Sequence, residues 1–311
     1  MDDQGVAEAR RVLSGLELFW ALDESEIEVT RLGGLTNLVF RVDHAGEQYV
    51  LRIPGKGTEE YINRTHEEET ARAAARAGVS PDVVLFDKKA GVMVTRLVDG
   101  AVTMSVENFK TIGGAPERAG EALRKLHASG VLFPFRFELF KMIDDYLKIL
   151  AGKEVVLPAG YHDVVREAEG VRQALSTHPL PLVACHCDPL CENFLDQNRK
   201  RMWIVDWEYA GMNDPMWDLG DLSVEGGFTV EQDEEMIRAY FGGEPSASER
   251  GRIVIYKAMC DLLWTLWGLI QHANKNPADD FWAYALNRFG RCKALMADPA
   301  FFTHVAAVRR G

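Results

Sequence analysis

The sequence has few basic residues and few cysteines, and each shortage argues against a class of protein. Lysine and arginine number 35 against 47 aspartates and glutamates, which gives a formal net charge of −12. Because proteins that bind nucleic acid neutralise phosphates with basic side chains, this balance argues against a nucleic-acid partner. The five cysteines are an odd number, and the chain starts with acidic residues rather than with a basic and then apolar signal. We therefore expect reduced thiols and a cytoplasmic location.

Long apolar runs, linkers and repeats are also missing. No hydrophobic run approaches the length of a membrane span, so we expect no membrane partner. No long stretch of proline, glycine and serine, internal repeat or low-complexity segment divides the chain. With 311 residues, of which 47% are hydrophobic, the chain has enough apolar material for one large domain or two lobes.

Two carboxylates and an amide stand at the spacing that phosphoryl transfer requires. Asp188 lies two residues after His186, and Asn193 follows five residues later, which is enough for a loop to turn both side chains inward. Asp206 follows the apolar run 202–205, which predicts a buried strand that ends at the site. In phosphoryl transfer one carboxylate orients the attacking hydroxyl, while an amide oxygen and a second carboxylate hold Mg²⁺ against the phosphates. Asp188 is therefore the predicted base, and Asn193 and Asp206 are the predicted metal ligands.

This segment has two other interpretations. Aspartate and asparagine are common in turns, so the three residues are also typical of ordinary loop and capping positions. Cys185, Cys187 and Cys191 surround His186 and suggest a zinc site, but no second pair of cysteines or histidines stands at ligand spacing elsewhere. The joint spacing, with Trp-Glu directly after the second aspartate, favours phosphoryl transfer.

The motifs resemble those of a known family. His-x-Asp-x4-Asn at 186–193 and Ile-Val-Asp-Trp-Glu-Tyr-Ala at 204–210 are similar to the choline/ethanolamine kinases, within a wider group that includes the aminoglycoside phosphotransferases and shares the protein-kinase fold. Asp-Leu-Gly-Asp at 218–221 and the later Glu225 resemble a further stretch of that family. The resemblance implies an α+β, protein-kinase-like fold of two lobes. A small β-rich nucleotide-binding lobe at 1–98 precedes a large, mainly helical catalytic and substrate-binding lobe at 99–311.

The first lobe carries a predicted phosphate-binding loop. Residues 26–53 alternate between apolar and polar side chains, which predicts β strands. Between the first two strands, glycines let the backbone approach phosphate, and a hydroxyl and an amide can add donors. The candidate residues are Gly33, Gly34, Thr36 and Asn37. A glycine pair in a hairpin is also typical of a plain turn.

The following elements supply candidate contacts to the phosphates and the adenine. By resemblance, Arg52 takes the place of the kinase lysine, and Glu67, on a helix predicted over 58–78, is its partner. Glu68 and Glu69 are the alternatives if the register of this helix differs. A guanidinium can bind two phosphate oxygens at once, although Arg52 is also typical of a surface strand charge. Strands are predicted at 83–86 and 92–95. The hinge after them, with backbone groups of Arg96, Leu97 and Val98, is predicted to bind adenine.

Two residues are predicted to support the catalytic loop. His186 is expected to hydrogen-bond the loop backbone rather than to act as a base. The resemblance implies that Asp218 receives backbone N–H groups of the same loop. A simple helix cap is the alternative for Asp218.

Aromatic and acidic residues of the last third indicate a cationic substrate. Trp264 and Trp267 are three residues apart and therefore lie on one helix face. A quaternary ammonium donates no hydrogen bond, so aromatic faces recognise it through cation–π contacts of about 0.5–2 kcal/mol each. Glu208, Glu225 and Asp261 are the candidate anionic partners. A tryptophan pair at this spacing is also typical of a helical core.

Together these features predict an ATP- and Mg²⁺-dependent kinase that phosphorylates the hydroxyl of choline or of a related amino alcohol such as ethanolamine, with Asp188 aligning that hydroxyl. The alternatives are a kinase for an aminoglycoside, thiamine or another small alcohol, and a non-catalytic nucleotide-binding protein of the same fold. Because Asp-Phe-Gly is absent and no Ala-Pro-Glu follows Asp206 at the place of an activation loop, a protein kinase is disfavoured. One methyl group contributes only about 1–3 kcal/mol of discrimination, so the motifs do not separate choline from ethanolamine. They do not indicate an oligomeric state either.

Overall fold

Alternating apolar residues build an antiparallel sheet in the first third of the chain. The computed structural model describes residues 2–19, 27–34, 37–55, 57–58, 62–153 and 155–311. A first helix, α1 (Asp2–Ser14), precedes a five-stranded sheet in the spatial order β1-β2-β3-β5-β4. Its strands are β1 (Glu28–Gly33), β2 (Leu38–His44), β3 (Glu47–Ile53), β4 (Val83–Asp87) and β5 (Val92–Arg96). The strands predicted in this region are confirmed.

The register of the sheet separates the apolar core from Arg52. Phe40, Leu51 and Val94 are fully buried and belong to one apolar cluster with residues of α1. Arg52 follows Leu51 in β3 and lies opposite Met93 of β5. Because successive side chains of a strand point to opposite faces, Arg52 is directed away from this core.

Helix α2 (Arg64–Arg76) begins at residue 64 rather than at the predicted 58. Asn63 caps it, because its side-chain oxygen accepts two backbone N–H groups of the first turn. The buried alanines of α2 pack into the apolar core of the large lobe, where Ile204 donates its backbone N–H to the carbonyl of Val79. The helix that carries Glu67 is thus anchored on the second lobe as well as on the first.

Helices dominate the second lobe and surround two small sheets. The strands form a three-stranded sheet of order β6-β8-β9 and the antiparallel pair β10-β7. They are β6 (Ala101–Thr103), β7 (Val183–Cys185), β8 (Phe194–Gln197), β9 (Arg201–Ile204) and β10 (Gly211–Asn213). The helices are α3 (Val106–Thr111), α4 (Ala115–His127), α5 (Leu139–Gly152), α6 (Tyr161–Thr177), α7 (Met216–Gly226), α8 (Val230–Phe241), α9 (Ala247–Ala273), α10 (Phe281–Ala297) and α11 (Pro299–Arg310). The predicted α+β organisation, with a β-rich first part and a mainly helical second part, is confirmed.

Helix α9 is an apolar helix at the centre of the large lobe. By length and composition alone it is able to cross a membrane, with 27 residues and an 18-residue window of mean hydropathy 1.5. The expectation that no run approaches the length of a membrane span is therefore wrong for this helix. Of that window, 89% is buried inside the fold, which is typical of a core helix.

Helix α7 approaches α9 closely at Gly220. A Cβ atom on Gly220 would lie 2.7 Å from the carbonyl oxygen of Ile253 and 2.9 Å from the Cβ of Tyr256. These distances are too short for any side chain, so the sequence permits direct contact between the two helices at this point. The contact holds α7 against the helix that carries Trp264.

Candidate active site

The predicted catalytic residues lie on two connections that the strands bring together. The chain leaves β7, forms the loop that carries Asp188 and enters β8 directly after Asn193. Asn193 donates its side-chain N–H to the carbonyl of Asp188 at 2.9 Å, and its own carbonyl accepts the N–H of Val205 at 2.9 Å. Strands β8 and β9 form a hairpin, so the chain returns and delivers Asp206 just beyond β9. Asn193 is therefore hydrogen-bonded to both segments that carry the predicted carboxylates.

Asp206 has an unusual backbone conformation and a buried oxygen with no partner. Its φ of 67° lies in the left-handed region that non-glycine residues seldom adopt. Among the described residues, its buried Oδ1 has no hydrogen-bond partner, whereas Oδ2 lies 3.5 Å from Nδ2 of Asn37. Burial, followed by the negative charge of Glu208, raises the pKa of Asp206 to about 7, and the charge of Arg52 opposes this shift. Such a carboxylate is suited to bind a cation.

Burial also raises the pKa of the Asp188 carboxyl well above its usual range. The negative charges of Asp206 and Glu225 add to this effect, and Arg288 opposes it. A carboxylate whose affinity for a proton is raised in this way is better matched to accept a proton from a hydroxyl near neutral pH.

Asp218 and His186 hold the catalytic loop in place. Asp218, on α7, accepts the backbone N–H groups of His186 at 2.7 Å and of Cys187 at 2.8 Å. His127 at the end of α4 places Nε2 3.0 Å from the same carboxylate. The ring of His186 bonds the Val205 carbonyl through Nε2 at 2.8 Å, and burial lowers the pKa of His186. The loop is therefore tied to α7 on one side and to the segment before Asp206 on the other.

Two arginines of the first lobe share two carboxylates. Arg52 pairs with Glu67 on α2 and, at 2.5 Å, with Glu208 of the helical lobe. Arg64 places Nη1 2.7 Å from Oε2 of Glu67 and 2.6 Å from Oε1 of Glu208. Sequence reasoning gave Arg64 no role, although its i, i+3 spacing to Glu67 on a helix was a usable signal. These four residues form what we call the arginine cluster.

Glu208 was assigned to the substrate from the sequence, and the structure places it in the arginine cluster instead. Its Oε1 accepts from both Arg52 and Arg64. The preceding Trp207 is fixed by a hydrogen bond from Nε1 to the Ser80 hydroxyl at 3.0 Å. The charge of Glu208 is thus compensated by the two arginines.

The predicted phosphate loop reaches Asp206 through Asn37. Gly34 has a φ of 111°, and a Cβ there would lie 2.0 Å from the Asn37 carbonyl oxygen, so only glycine fits. Asn37 is buried, and its Oδ1 accepts the N–H of Gly55 at 3.1 Å. Gly33 ends β1 beside an irregularity in its pairing with β2. Thr36 lies outside the described residues.

The predicted hinge residues use several of their polar groups within the sheet. The N–H of Arg96 donates to the carbonyl of Asp82 at 2.9 Å, and that of Leu97 donates to the carbonyl of Gln48 at 3.1 Å. Val98 lies between the end of β5 and the start of β6. Adenine binding at these three residues stays a prediction.

Trp264 and Trp267 lie in an aromatic group on α9 and α10. The ring of Trp264 packs edge-on against Tyr209 with centroids 5.2 Å apart, and its Nε1 lies 3.3 Å from Oδ2 of Asp221. Trp267 packs edge-on against Tyr284 with centroids 5.6 Å apart. The two tryptophans therefore share one side of α9, as their spacing predicts.

Glu225 and Asp261 are paired with arginines of α10 that sequence reasoning did not name. Arg288 pairs with Glu225 and places Nη1 3.2 Å from Oδ1 of Asp261. Arg291 binds both oxygens of Asp261 at 2.6 Å. Asp261 is fully buried, and two guanidinium groups already contact its carboxylate, so its contact with substrate stays a prediction.

The five cysteines are free and buried. In the described part of the chain, potential metal-ligand atoms of His127, Cys185 and Asp218 lie within 4.8 Å of one another. Hydrogen bonds account for this group, because Asp218 bonds His127 and Cys185 donates to the Asn213 carbonyl. Cys187 and Cys191 are not part of it, so the arrangement does not support the zinc interpretation. Burial raises the pKa of all five thiols.

Comparison with known proteins places this chain in a family. The profile of the phosphotransferase enzyme family matches residues 28–250. The structure is similar to that of a choline/ethanolamine kinase family protein from Mesorhizobium loti, with 66% identity, coverage of 99% of this chain and 100% of that chain, and a TM-score of 0.89. It is also similar to choline kinase LicA from Streptococcus pneumoniae, with 28% identity, coverage of 94% of this chain and 98% of that chain, and a TM-score of 0.77. A structure of LicA in complex with AMP has 28% identity, covers 94% of this chain and 97% of that chain, and has a TM-score of 0.76. The chain therefore belongs to the phosphotransferase enzyme family and, within its kinase-like two-lobed fold, to the choline/ethanolamine kinases.

Proposed function

We propose that this kinase transfers the γ-phosphoryl group of ATP, with Mg²⁺, to the hydroxyl of a small cationic amino alcohol, choline or ethanolamine. The observation that carries the proposal is the hydrogen-bonded placement of Asn193 between the segments of Asp188 and Asp206. The AMP complex of LicA supports an adenine nucleotide. The similarity to choline and ethanolamine kinases supports the acceptor class.

The oxygen donors of the site fit Mg²⁺. Asn193 uses its side-chain N–H on the Asp188 carbonyl, which leaves the amide oxygen as a ligand. Oδ1 of Asp206 is buried and, within the described ranges, lacks a hydrogen-bond donor. Carboxylate and amide oxygens are ligands that Mg²⁺ accepts. When bound, the metal offsets negative charge on the phosphates.

Side chains of the protein align the acceptor hydroxyl, bind the phosphates and recognise the cationic end of the substrate. Asp188 aligns the hydroxyl for in-line attack and accepts its proton, a role that contributes roughly 10²–10⁴-fold to the rate. Arg52 and Arg64 supply donors for phosphate oxygens, and Glu67 orients both of them. The aromatic group around Trp264 recognises the cationic end of the substrate through cation–π contacts.

The buried aromatic group also helps to distinguish a small amino alcohol from an aminoglycoside as the acceptor. A polycationic aminoglycoside requires several separated acids and few aromatic walls, whereas a compact ammonium group requires the reverse. Tyr209, Trp264, Trp267 and Tyr284 pack edge-on in two pairs, which favours the compact substrate.

The proposal is tested by Mg²⁺-dependent turnover of ATP with choline, ethanolamine, thiamine and one aminoglycoside as acceptors. We expect saturable turnover with choline or ethanolamine, and loss of metal-dependent transfer in Asp206→Ala. Asp144→Ala, which removes an exposed carboxylate on α5, is the matched control. Substantial turnover in Asp206→Ala, or phosphorylation only of thiamine or the aminoglycoside, would overturn the proposal.

A further inference from the structure

Three acids of α7 lie on one face of the helix. Asp218, Asp221 and Glu225 follow one another at spacings of three and four residues, so their side chains lie along one side over two turns. Asp218 binds the backbone of the loop that carries Asp188. The same face therefore continues along the active site through Asp221 and Glu225.

The charges of Glu225 and of the neighbouring Asp261 are balanced within the protein. Arg288 pairs with both carboxylates, and its guanidinium lies 4.8 Å from the ring centroid of Tyr284. Arg291 binds both oxygens of Asp261. Two carboxylates are thus matched by two guanidinium groups, and Glu225 is already neutralised before any substrate arrives.

Asp221 differs from these two acids. It is fully buried, and within the described ranges its Oδ2 accepts from one neutral donor, the indole N–H of Trp264 at 3.3 Å. Its Oδ1 is buried as well and has no hydrogen-bond partner in the part of the chain that the structure describes. Burial, followed by the charges of Glu225 and Asp188, raises the pKa of Asp221 well above its usual range. Asp221 therefore lies close to both the predicted base and the aromatic group.

A buried hydrogen-bond acceptor without a donor raises the free energy of the folded protein, and a bound substrate that supplies the donor lowers it again. An unsatisfied buried polar atom costs about 1–3 kcal/mol, and more when it is charged. An ammonium group with an N–H supplies both the missing donor and the compensating charge. A quaternary ammonium supplies the charge alone, because its nitrogen carries only carbon substituents.

We infer that Asp221, rather than Glu225, receives the ammonium group of the substrate through a hydrogen bond to Oδ1, so that the preferred acceptors are amino alcohols that retain an N–H. This assignment rests on the proposed function and narrows its substrate class. Trp264 is then the residue that orients Asp221 through its indole N–H. Arg288 holds Glu225 in a structural pair at the side of the site.

The test is a methylation series of acceptors. Ethanolamine, N-methylethanolamine, N,N-dimethylethanolamine and choline have the same hydroxyl and carry three, two, one and no N–H groups in their cationic forms. For the wild-type enzyme we expect the largest fall in kcat/KM, at least about tenfold, at the last methyl, where the final N–H is lost. This measurement needs no variant and therefore does not depend on the folding of one.

Two variants locate the effect. Asp221→Asn keeps the size and the acceptor for Trp264 but removes the charge, and we expect it to lower kcat/KM for ethanolamine at least about tenfold while choline changes much less. Glu225→Gln is the matched control, and we expect it to lower the whole series by a common factor. Turnover with the same methylation profile in wild type and Asp221→Asn overturns the assignment alone. If the wild-type enzyme turns over none of the four acceptors, both the proposed function and this assignment are wrong.

Discussion

Nη1 of Arg64 lies 2.6 Å from Oε1 of Glu208 and 2.7 Å from Oε2 of Glu67, so a single nitrogen joins helix α2 to the segment that follows Asp206. The side chain of Arg64 is 13% exposed and that of Glu208 is 7% exposed. Because both charges are largely removed from water, each depends on the other for compensation. The pair therefore connects the arginines of the first lobe to the predicted metal site of the second.

Arg64→Ala is expected to destabilise the protein by about 3 kcal/mol, the lower end of the cost of breaking a buried ion pair, because Arg52 still pairs with both carboxylates. It is also expected to raise the KM for ATP. Urea unfolding and steady-state kinetics measure the two effects. Arg76→Ala, in the exposed last turn of the same helix, is the control and should stay within about 0.5 kcal/mol of wild type. Equal stability of the two variants would contradict the importance of the Arg64 pair.

Asp188→Asn is expected to lower kcat roughly 10²–10⁴-fold, because the amide keeps the shape of the side chain but accepts no proton. The affinity for nucleotide should be retained, since Asp188 is assigned to the acceptor hydroxyl. Steady-state rates combined with calorimetric titration of an ATP analogue separate the two quantities. A variant that binds nucleotide normally and keeps most of its turnover would show that Asp188 is not the base.

Metal affinity is expected to depend on pH through Asp206. Its pKa is raised to about 7, so at lower pH a proton occupies the carboxylate and must leave before a metal binds. The apparent Kd for Mg²⁺ should therefore rise about tenfold for each pH unit below this value and level off above it. Mg²⁺ titrations from about pH 5.5 to pH 8.5 in the presence of an ATP analogue provide the measurement. A Kd that does not change across this range would remove Asp206 as the group that controls metal binding.

Two glycine substitutions should change stability in opposite directions. Gly220→Ala places a Cβ 2.7 Å from the Ile253 carbonyl oxygen, so α7 must move away from α9 and the protein loses stability. Gly290→Ala, on the exposed side of α10, meets no atom within 4 Å and should stabilise the helix by about 0.5–1 kcal/mol. Thermal unfolding of both variants tests the pair. Similar shifts in Tm for the two variants would contradict the close approach of α7 and α9.

The sequence predicted those strands and loops whose formation depends mainly on residues close together in the chain. Strands β4 and β5 occur within one residue of their predicted ends, because a short run of β-branched and apolar residues on each side of a turn is a local signal for a hairpin. The loop and hairpin that carry Asp188, Asn193 and Asp206 follow from spacing along the chain. Helix α2 begins later than the predicted residue 58, because the side chain of Asn63 caps its first turn.

Pairing between distant residues was not predictable in the same way. Glu208 is joined to Arg52 and Arg64 across more than 140 positions of sequence. Arg288 reaches Glu225 from another helix. The sequence showed that such acids and bases exist, but only the packing of α2, α7 and α10 decides which of them meet. For this reason the sequence named the acids of the candidate site but not Arg64 and Arg288, the arginines that pair with Glu208 and Glu225.

The cysteines of this protein can be used to measure how often its helical lobe opens. All five thiols lie in the helical lobe, from Cys185 to Cys292, and all are buried with raised pKa values. A thiol-reactive dye needs an exposed thiolate, so it labels the native chain only during excursions that open that lobe. Fraying of the N-terminal sheet exposes no cysteine thiol and therefore gives no labelling in the same assay. The labelling rate of the unmodified protein therefore measures the free energy of opening of the helical lobe, separately from that of the N-terminal lobe.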